Sequence, residues 1–581
     1  MCGIAGANFN QEGVRAACDL IAYRGPDAQG FTANDGVFLG HRRLSIIDTD
    51  ARANQPFSTP DGSVTIIYNG EVYNYKELRH ELEDSFEFRT TSDTEVIVAA
   101  YLKYGDACVS RLQGMFAFAI HDRAKKRLLL ARDPQGIKPL YYSFANGALA
   151  FASELKSVVE ISKGHGTPSV VDGRSLRLYA AFGYVPSPMT LIAGISKLEK
   201  SHTLSFDLVS CEMPTVTAFA PAGLRDVSSL DTFVDLMEEK ILAHLASDVP
   251  VGLFFSGGTD SSLIAAVLAK HGIHLTTFSL RTAKGAADIP YFDAINAQLG
   301  LQCETHDYGA AEFASSYALV QSRIDEPLSD SSLFPTTYIA LQAAHKVKVV
   351  LSGEGGDEFF YGYHRQLALA RMARREPSKK AILLLSSLPS RSKTLPRAAK
   401  ALGMPYLYYL AEMSPAKQVL GADVFFEAAS YLWSMNAHPI DIDKDIALEN
   451  DLLHKIDAAT SYASIEGRVP LLDSEITRNS SQPFFDHLHG GVLKAGLKEI
   501  LCRYLPCDLV YRPKTGFGLD ASHLGSPQAR HDVEQGIVMA KNFGFIDLSR
   551  VTVEGTITRD PHFGFALASL YRACGNLGLR P

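Results

Sequence analysis

Short apolar runs separated by Gly, Asn and Pro dominate the N-terminal part of the chain, and their alternation predicts strands. Residues 37–47 (VFLGHRRLSII), 64–68 (VTIIY), 115–120 (MFAFAI) and 127–131 (RLLLA) read as strands of an antiparallel sheet system. Helical patterns interrupt them at 75–82 and 93–104, and Asn69-Gly70 predicts a turn between two strands. After about Val209 the pattern changes. Ser229 predicts the cap of a helix running through Leu245, with Phe233, Leu236, Met237, Lys240, Ile241 and Leu245 on one face. Strand and helix then alternate: 249–255, a glycine turn, 261–270 ended by Gly272, 275–280, a helix near 291–299 and a strand at 346–351. That order predicts a doubly wound parallel α/β sheet with helices on both faces. From Tyr361 onward the pattern is mostly helical. Pro, Ala and Gly collect at 210–226, which divides the chain into units 1–209 and 227–581.

Composition narrows the class of protein. The 581 residues are 46% hydrophobic and 21% charged, enough apolar material for large cores without disulfides or metals as staples. A net charge of -8 gives no electrostatic footprint for nucleic acid. No apolar run approaches the roughly 18 residues of a membrane span. The start MCGIAGANFN has neither the basic nor the apolar region of a secretory signal. A cytoplasmic protein acting on small molecules is expected, with no nucleic-acid or membrane partner. Residues 371–400 carry nine Lys/Arg against Glu376 alone, read as a solvated face of helices broken by Pro377, Pro389 and Pro396.

The cysteines are Cys2, Cys18, Cys108, Cys211, Cys303, Cys502, Cys507 and Cys574. No C-x-x-C pair or zinc-finger spacing occurs, and so sparse a set suits a reducing compartment. Seven read as small buried apolar residues. Cys2 differs, because removal of the initiator Met would place its thiol beside a free α-amine, a built-in base near neutral pH.

Further segments accompany it: Arg24-Gly25-Pro26-Asp27, Arg43-Leu44-Ser45-Ile46-Ile47-Asp48, Tyr68-Asn69-Gly70-Glu71, Ser92-Asp93-Thr94-Glu95, Gln113-Gly114-Met115-Phe116-Ala117 and 132–142 (RDPQGIKPLYY). In this order they resemble the class II glutamine amidotransferase domain, an α+β N-terminal-nucleophile hydrolase of layered antiparallel sheets with helices. The resemblance implies that Cys2 attacks the carboxamide of glutamine, with Asn69 and the Gly70 N–H as oxyanion hole. It implies a glutamine pocket of Arg43, Leu44, Ser45, Ile46, Ile47, Asn69, Gly70, Glu71 and Asp93. Arg43 suits the α-carboxylate, because a guanidinium offers two parallel hydrogen bonds, and Asp93 suits the α-ammonium.

In the second half, Phe255-Ser256-Gly257-Gly258-Thr259-Asp260-Ser261-Ser262 lies between a predicted strand and a predicted helix. Glycines there let the backbone approach a phosphate, while the lysine of a Walker loop is missing. The loop resembles the SGGxDS pyrophosphate loop of ATP pyrophosphatases. With 325–332 (DEPLSDSS), 351–358 (LSGEGGDE), 464–473 (SIEGRVPLLD), 494–498 (KAGLK) and 512–517 (RPKTGF), the chain resembles the glutamine-hydrolysing asparagine synthetase family over nearly its full length. The resemblance implies ATP as substrate, held by Phe255, Ser256, Gly257, Gly258, Asp260, Ser261, Ser262, Leu280, Ser352 and Gly353. It implies Mg²⁺ on Asp260 and Asp357, catalytic roles for Glu354 and Lys494, and an internal ammonia passage to which residues 112–118 are expected to contribute. A homodimer is left open.

Some positions depart from the family pattern: Thr259 in the phosphate loop, Glu199-Lys200-Ser201-His202 for a Pro-Gly-His turn, and Tyr462, Gly467 and Leu471 near the presumed acceptor pocket. Asparagine synthesis from aspartate is the first expectation. The same mechanism on another carboxylate, such as a sugar uronate or a peptide, is the second. A cyclising ligase is disfavoured because such enzymes dispense with the nucleophile, and a non-catalytic paralogue because it has no physical reason to keep both constellations.

Overall fold

The structure is a computed structural model, and it describes residues 1–165, 170–282, 289–372, 399, 403–485, 491–512, 521–546, 548 and 551–579. Most of the basic stretch 371–400, and residues 513–517 of the RPKTGF segment, lie outside the described residues.

The strand-like runs of the N-terminal half form β1 (Gly3–Ala7), β2 (Ala28–Asn34), β3 (Val37–Arg43), β4 (Phe57–Ser58), β5 (Val64–Val72), β6 (Gly114–Asp122), β7 (Arg127–Arg132), β8 (Tyr141–Ala145), β9 (Ala148–Ala152), β10 (Ile195–Lys197), β11 (His202–Asp207) and β12 (Thr215–Ala218). They pair antiparallel in two six-stranded sheets, ordered β10-β8-β9-β1-β3-β2 and β12-β11-β7-β6-β5-β4. The sheets stack through Ile4 and Leu39 of one against Ile67, Ala117, Ala119 and Leu130 of the other. Successive side chains of a strand face opposite ways, so β6 sends Phe116, Phe118 and Ile120 outward, against Leu78, Val96 and Ile97 of helices Tyr75–Leu82 and Asp93–Tyr104. Helices Gln11–Leu20 and Leu155–Ser162 cover the other outer face. The result is a helix–sheet–sheet–helix sandwich that places β1, and with it Cys2, in the middle of one sheet.

The C-terminal half is built on a parallel sheet of β13 (Val251–Phe254), β14 (Thr276–Arg281), β15 (Gln302–Asp307), β16 (Val349–Leu351) and β17 (Glu466–Arg468), ordered β15-β14-β13-β16-β17. Helices Leu230–Ala243, Thr259–Lys270 and Ala495–Leu501 pack on one face and Leu333–Ala343 on the other. Ser229 caps the first of these, its hydroxyl accepting from the Thr232 N–H in a capping box.

Three expectations need correction. Asn69-Gly70 is not a turn: both residues lie inside β5, paired with Ala117 and Phe116. Gly70 is required there by its φ of +156° and by a close approach, since a Cβ would fall 2.1 Å from the Met115 carbonyl. The strand predicted over 37–47 ends at Arg43, because the Arg43 guanidinium gathers the carbonyls of Ile47, Asp48 and Asp50 and curls the chain back. The helical region after Tyr361 also contains β17, too short for a sheet period to register. Cys502 and Cys507 form a disulfide across the turn after helix Ala495–Leu501, and Cys211 and Cys303 are only half-buried, so the seven are not uniformly buried apolar residues. The segment 210–226 holds β12 as an edge of the second sheet, and Ser201, where the family pattern has glycine, adopts a φ of +58°.

No helix among the described residues is long and apolar enough to cross a membrane.

Candidate active sites in the two halves

Cys2 precedes β1, where its backbone N–H donates to Asn69 Oδ1 of β5 at 2.9 Å. That bond orients the Asn69 amide and leaves Nδ2 fully buried with no hydrogen-bond partner. A buried donor left unpaired is costly, and this one belongs to the side chain that holds the Cys2 backbone. Burial raises the Cys2 thiol pKa, partly opposed by the adjacent N-terminal charge and a contact from Sγ to the Leu44 carbonyl. Burial also lowers the Met1 amine to about 6 against the pull of Glu466, 3.8 Å away.

The expected glutamine-pocket residues surround this point. Arg43, at the end of β3, is held by the Asp50 and Ile47 carbonyls at 2.9 and 3.2 Å and by Asn54 Oδ1 at 2.7 Å. Leu44, Ile46 and Ile47 are buried against Val349 of the parallel sheet, and the Ser45 N–H donates to Asp27 at 2.7 Å. Asp93 opens helix Asp93–Tyr104 and accepts from the Tyr68 hydroxyl at 2.8 Å and the Val72 N–H at 3.1 Å. Burial raises its carboxyl pKa despite these bonds. Glu71 is also buried, its carboxyl pushed well up by desolvation against the pull of Arg468.

The second constellation gathers at the C-terminal ends of the parallel strands, where ligands bind in open α/β sheets. Phe255 and Ser256 leave β13, Leu280 lies in β14, and Ser352 and Gly353 leave β16. Gly257 takes a φ of +68°, and the Gly258 N–H donates to Ser256 Oγ at 3.3 Å. Ser261 Oγ lies 3.2 Å from Ser256 Oγ, and the buried Ser262 hydroxyl has no partner. Helix Thr259–Lys270 starts at Gly258 without a side-chain cap, so its first N–H groups face the loop, an arrangement suited to an anion. Lys494 reaches in from the start of helix Ala495–Leu501 in a left-handed conformation (φ +56°). Its ammonium bridges Asp260 and Asp357, the latter at 2.7 Å. Burial lowers the Lys494 pKa, and these two carboxylates outweigh it and raise it. A cation between two hard oxygen donors is what a divalent ion would replace, so the pair fits Mg²⁺ shared with phosphates. Glycines make the approach possible: a Cβ on Gly356 would fall 2.4 Å from Asp260 Oδ1, and one on Gly362 1.8 Å from Asp357 Oδ1.

Glu354 lies apart from Lys494's pair and meets Lys455 at 3.3 Å, with Asp330 3.5 Å from the same ammonium. Asp451 joins this group, raised to about 8 by burial and the charge of Asp330. Lys455 and Asp451 escape sequence reading, and Arg468, though inside the 464–473 segment, is given no role by it. Lys455 lies in helix Leu453–Tyr462, whose only signal is that it runs into the 464–473 segment.

Between the sites the halves are joined by buried contacts. Arg24 pairs with Glu154 at 3.0 Å and Asp457 at 2.9 Å, and Arg132 with Glu449 at 2.6 Å. Met115, Ile137, Leu448, Leu453, Ile456, Val469 and Leu472 form an apolar cluster across the junction. Of the 112–118 segment only Met115 joins it, since Leu112, Phe116 and Phe118 pack on the helices of the N-terminal half and Ala117 lies between its sheets.

Residues 1–214 match the family model described as glutamine amidotransferase domain, and 232–553 match that of asparagine synthase. A putative glutamine-hydrolysing asparagine synthetase of Mycobacterium tuberculosis is 32% identical, over 90% of this chain and 88% of its own. Asparagine synthetase 1 of Bacillus subtilis is 33% identical over the same shares, and the amidase chry2 of Gibberella zeae is 33% identical over 61% of this chain and 55% of its own. Among solved structures, glutamine phosphoribosylpyrophosphate amidotransferase of B. subtilis is similar at 16% identity and a TM-score of 0.29, covering 53% of this chain and 81% of that one. With both halves matched in order and most of the chain aligned, the protein belongs to the glutamine-hydrolysing asparagine synthetase family.

Proposed function

We propose that this chain makes asparagine from aspartate, glutamine and ATP, releasing glutamate, AMP and pyrophosphate. The observation that carries the proposal is the pair of constellations in one chain, Cys2 with the unpaired Asn69 amide and Lys494 with Asp260 and Asp357, joined by a buried apolar junction. The names of the M. tuberculosis and B. subtilis relatives support the acceptor.

In the first half-reaction the Cys2 thiol gives its proton to the N-terminal amine left by Met removal, and the sulfur attacks the glutamine carboxamide. Asn69 Nδ2 and the Gly70 N–H stabilise the oxyanion, a contribution of about 10²–10³ in rate per donor. The amine returns the proton to the leaving nitrogen as ammonia departs, and water cleaves the thioester to glutamate. Arg43 holds the α-carboxylate, and Asp93 and Glu71 hold the α-ammonium.

In the second, an acceptor carboxylate attacks the α-phosphorus of ATP and displaces pyrophosphate. The Ser256–Ser262 hydroxyls and loop N–H groups cradle the phosphates, and Lys494 leaves its carboxylates to meet the developing charge. Mg²⁺ on Asp260 and Asp357 would supply charge neutralisation of the phosphates. Ammonia crossing the Met115–Leu472 junction attacks the acyl-adenylate, Glu354 takes the surplus proton, and AMP leaves.

A second acceptor is favoured by one feature. Tyr462 is buried edge-on against Tyr23 with Arg323 over its ring, so the space near the 464–473 segment is shaped by an aromatic where the family commonly has methionine. Pyrophosphate release over a panel of carboxylates decides between the acceptors: activity with a uronic acid and none with aspartate rejects asparagine synthesis. Cys2→Ala should abolish turnover with glutamine and spare turnover with ammonia, and retained glutaminase activity would reject Cys2 as nucleophile.

A further inference from the structure

Arg468 is completely buried and belongs to both halves of the molecule. Its Nη2 donates to Glu71 Oε2 at 2.8 Å, its Nε to Glu466 Oε1 at 2.9 Å, and its Nη1 to the His244 and Ala246 carbonyls at 2.8 and 2.6 Å. Its backbone lies in β17 opposite Leu351, and its carbonyl accepts from the Ser352 N–H at 2.8 Å. One residue therefore touches the expected glutamine pocket with its guanidinium and the root of the 352–354 turn with its main chain.

Glu71 shows what that contact does. One oxygen is fixed by Arg468, while Oε1 is buried with no hydrogen-bond partner. A buried carboxylate oxygen left open demands a donor, and a ligand ammonium would supply one. The cluster of Glu71, Arg468 and Glu466 sets two carboxyl groups against one guanidinium, and the Met1 amine lies 3.8 Å from Glu466. An incoming ammonium on Glu71 changes the field at Arg468, and the rigid β16–β17 pairing sits directly behind it.

We infer that Arg468 is a positioning residue that aims Glu71 at the α-ammonium of glutamine and ties occupancy of that pocket to the 352–354 turn of the synthetase site. The inference rests on the proposed glutamine-dependent reaction. A guanidinium is suited to this because its planar fork holds two carboxylates in fixed directions at once, which a lysine cannot do. Coupling of this kind is reciprocal: ATP and acceptor must alter glutamine affinity as much as glutamine alters theirs.

The test uses the full chain with Arg468→Lys, which keeps the charge and loses the fork, and Glu466→Gln, which loosens Arg468 while leaving Glu71 itself unchanged. Glutamate release is measured with and without ATP plus aspartate, and ammonia-driven pyrophosphate release separately. Arg468→Lys should raise the KM for glutamine about tenfold or more with kcat within about threefold, and Glu466→Gln should shift it the same way by less. Both should lose the change in glutamine KM that ATP plus aspartate produces in the parent, while ammonia-driven release stays within about twofold. An unchanged KM in Arg468→Lys overturns the inference. So does a parallel fall of both activities in both variants, which would mark the residue as a structural pin. A parent chain without glutaminase activity would instead defeat the underlying reaction.

Discussion

The Cys2 backbone nitrogen donates to Asn69 Oδ1 at 2.9 Å, and this single bond decides which end of the Asn69 amide is taken up by the backbone. Oδ1 is consumed in holding the N-terminus, so Nδ2 is left as an oriented, fully buried donor. Asn69→Asp keeps the acceptor and removes the donor. It should lower kcat for glutamate release by about 10²–10³, with ammonia-driven pyrophosphate release unchanged, both read in the same preparation.

Gly362 lies against the phosphate side of the second site. An added Cβ would fall 1.8 Å from Asp357 Oδ1 and 2.5 Å from Lys494 Cε. Gly362→Ala should therefore displace the Lys494–Asp357 pair and reduce ammonia-driven pyrophosphate release at least tenfold, an energy of about 1.4 kcal/mol. Glutamine hydrolysis without ATP should be untouched, which separates local damage from unfolding.

Glu358 is buried beside Asp357, and desolvation with that neighbouring charge raises its carboxyl to about 8 although the Tyr363 hydroxyl donates to it. The raised value means that the native state holds a proton the unfolded chain releases. Folding stability contributed by this group is complete at acid pH and falls as pH rises from the ordinary carboxylate range to about 8. The charge itself appears in the fold only above that point, next to a proposed metal carboxylate. The pH profile of ammonia-driven pyrophosphate release should bend near pH 8, and Glu358→Gln should remove the bend. A bend of equal size in the variant would refute the assignment.

Arg24 ties the halves together from within, contacting Glu154 and Asp457 at 3.0 and 2.9 Å with every partner nearly buried. Arg24→Met strands the Asp457 carboxylate in the junction, while Glu154 keeps Lys156 at 2.7 Å, and removing one partner of a buried pair costs about 3–5 kcal/mol. The midpoint of urea unfolding should drop accordingly. Asp457→Asn, which leaves Arg24 paired with Glu154, should cost clearly less.

Much of this molecule is legible along the chain. The period of two in β5–β7, the helices at Tyr75–Leu82 and Asp93–Tyr104 and the strand–loop–helix at the phosphate loop follow from local patterns. Asn69-Gly70 shows the limit of such patterns. Its dipeptide chemistry favours a turn, but burial of β5 against β6 overrides that preference and uses the glycine for close approach instead. β17 gives no signal because three residues are less than one readable repeat, and its place is set by pairing with β16 across 115 or so residues of intervening chain.

The sequence by itself marked the two candidate half-sites, because Cys2 with its proposed pocket and the proposed phosphate loop with its acids are each carried by short, ordered segments. Only the tertiary structure decided how they meet. Arg468 on Glu71, Arg24 on Asp457 and the Met115–Leu472 cluster join residues hundreds of positions apart. Such contacts leave no periodicity behind, since a buried charge is placed by the partner that compensates it and not by its neighbours in the chain.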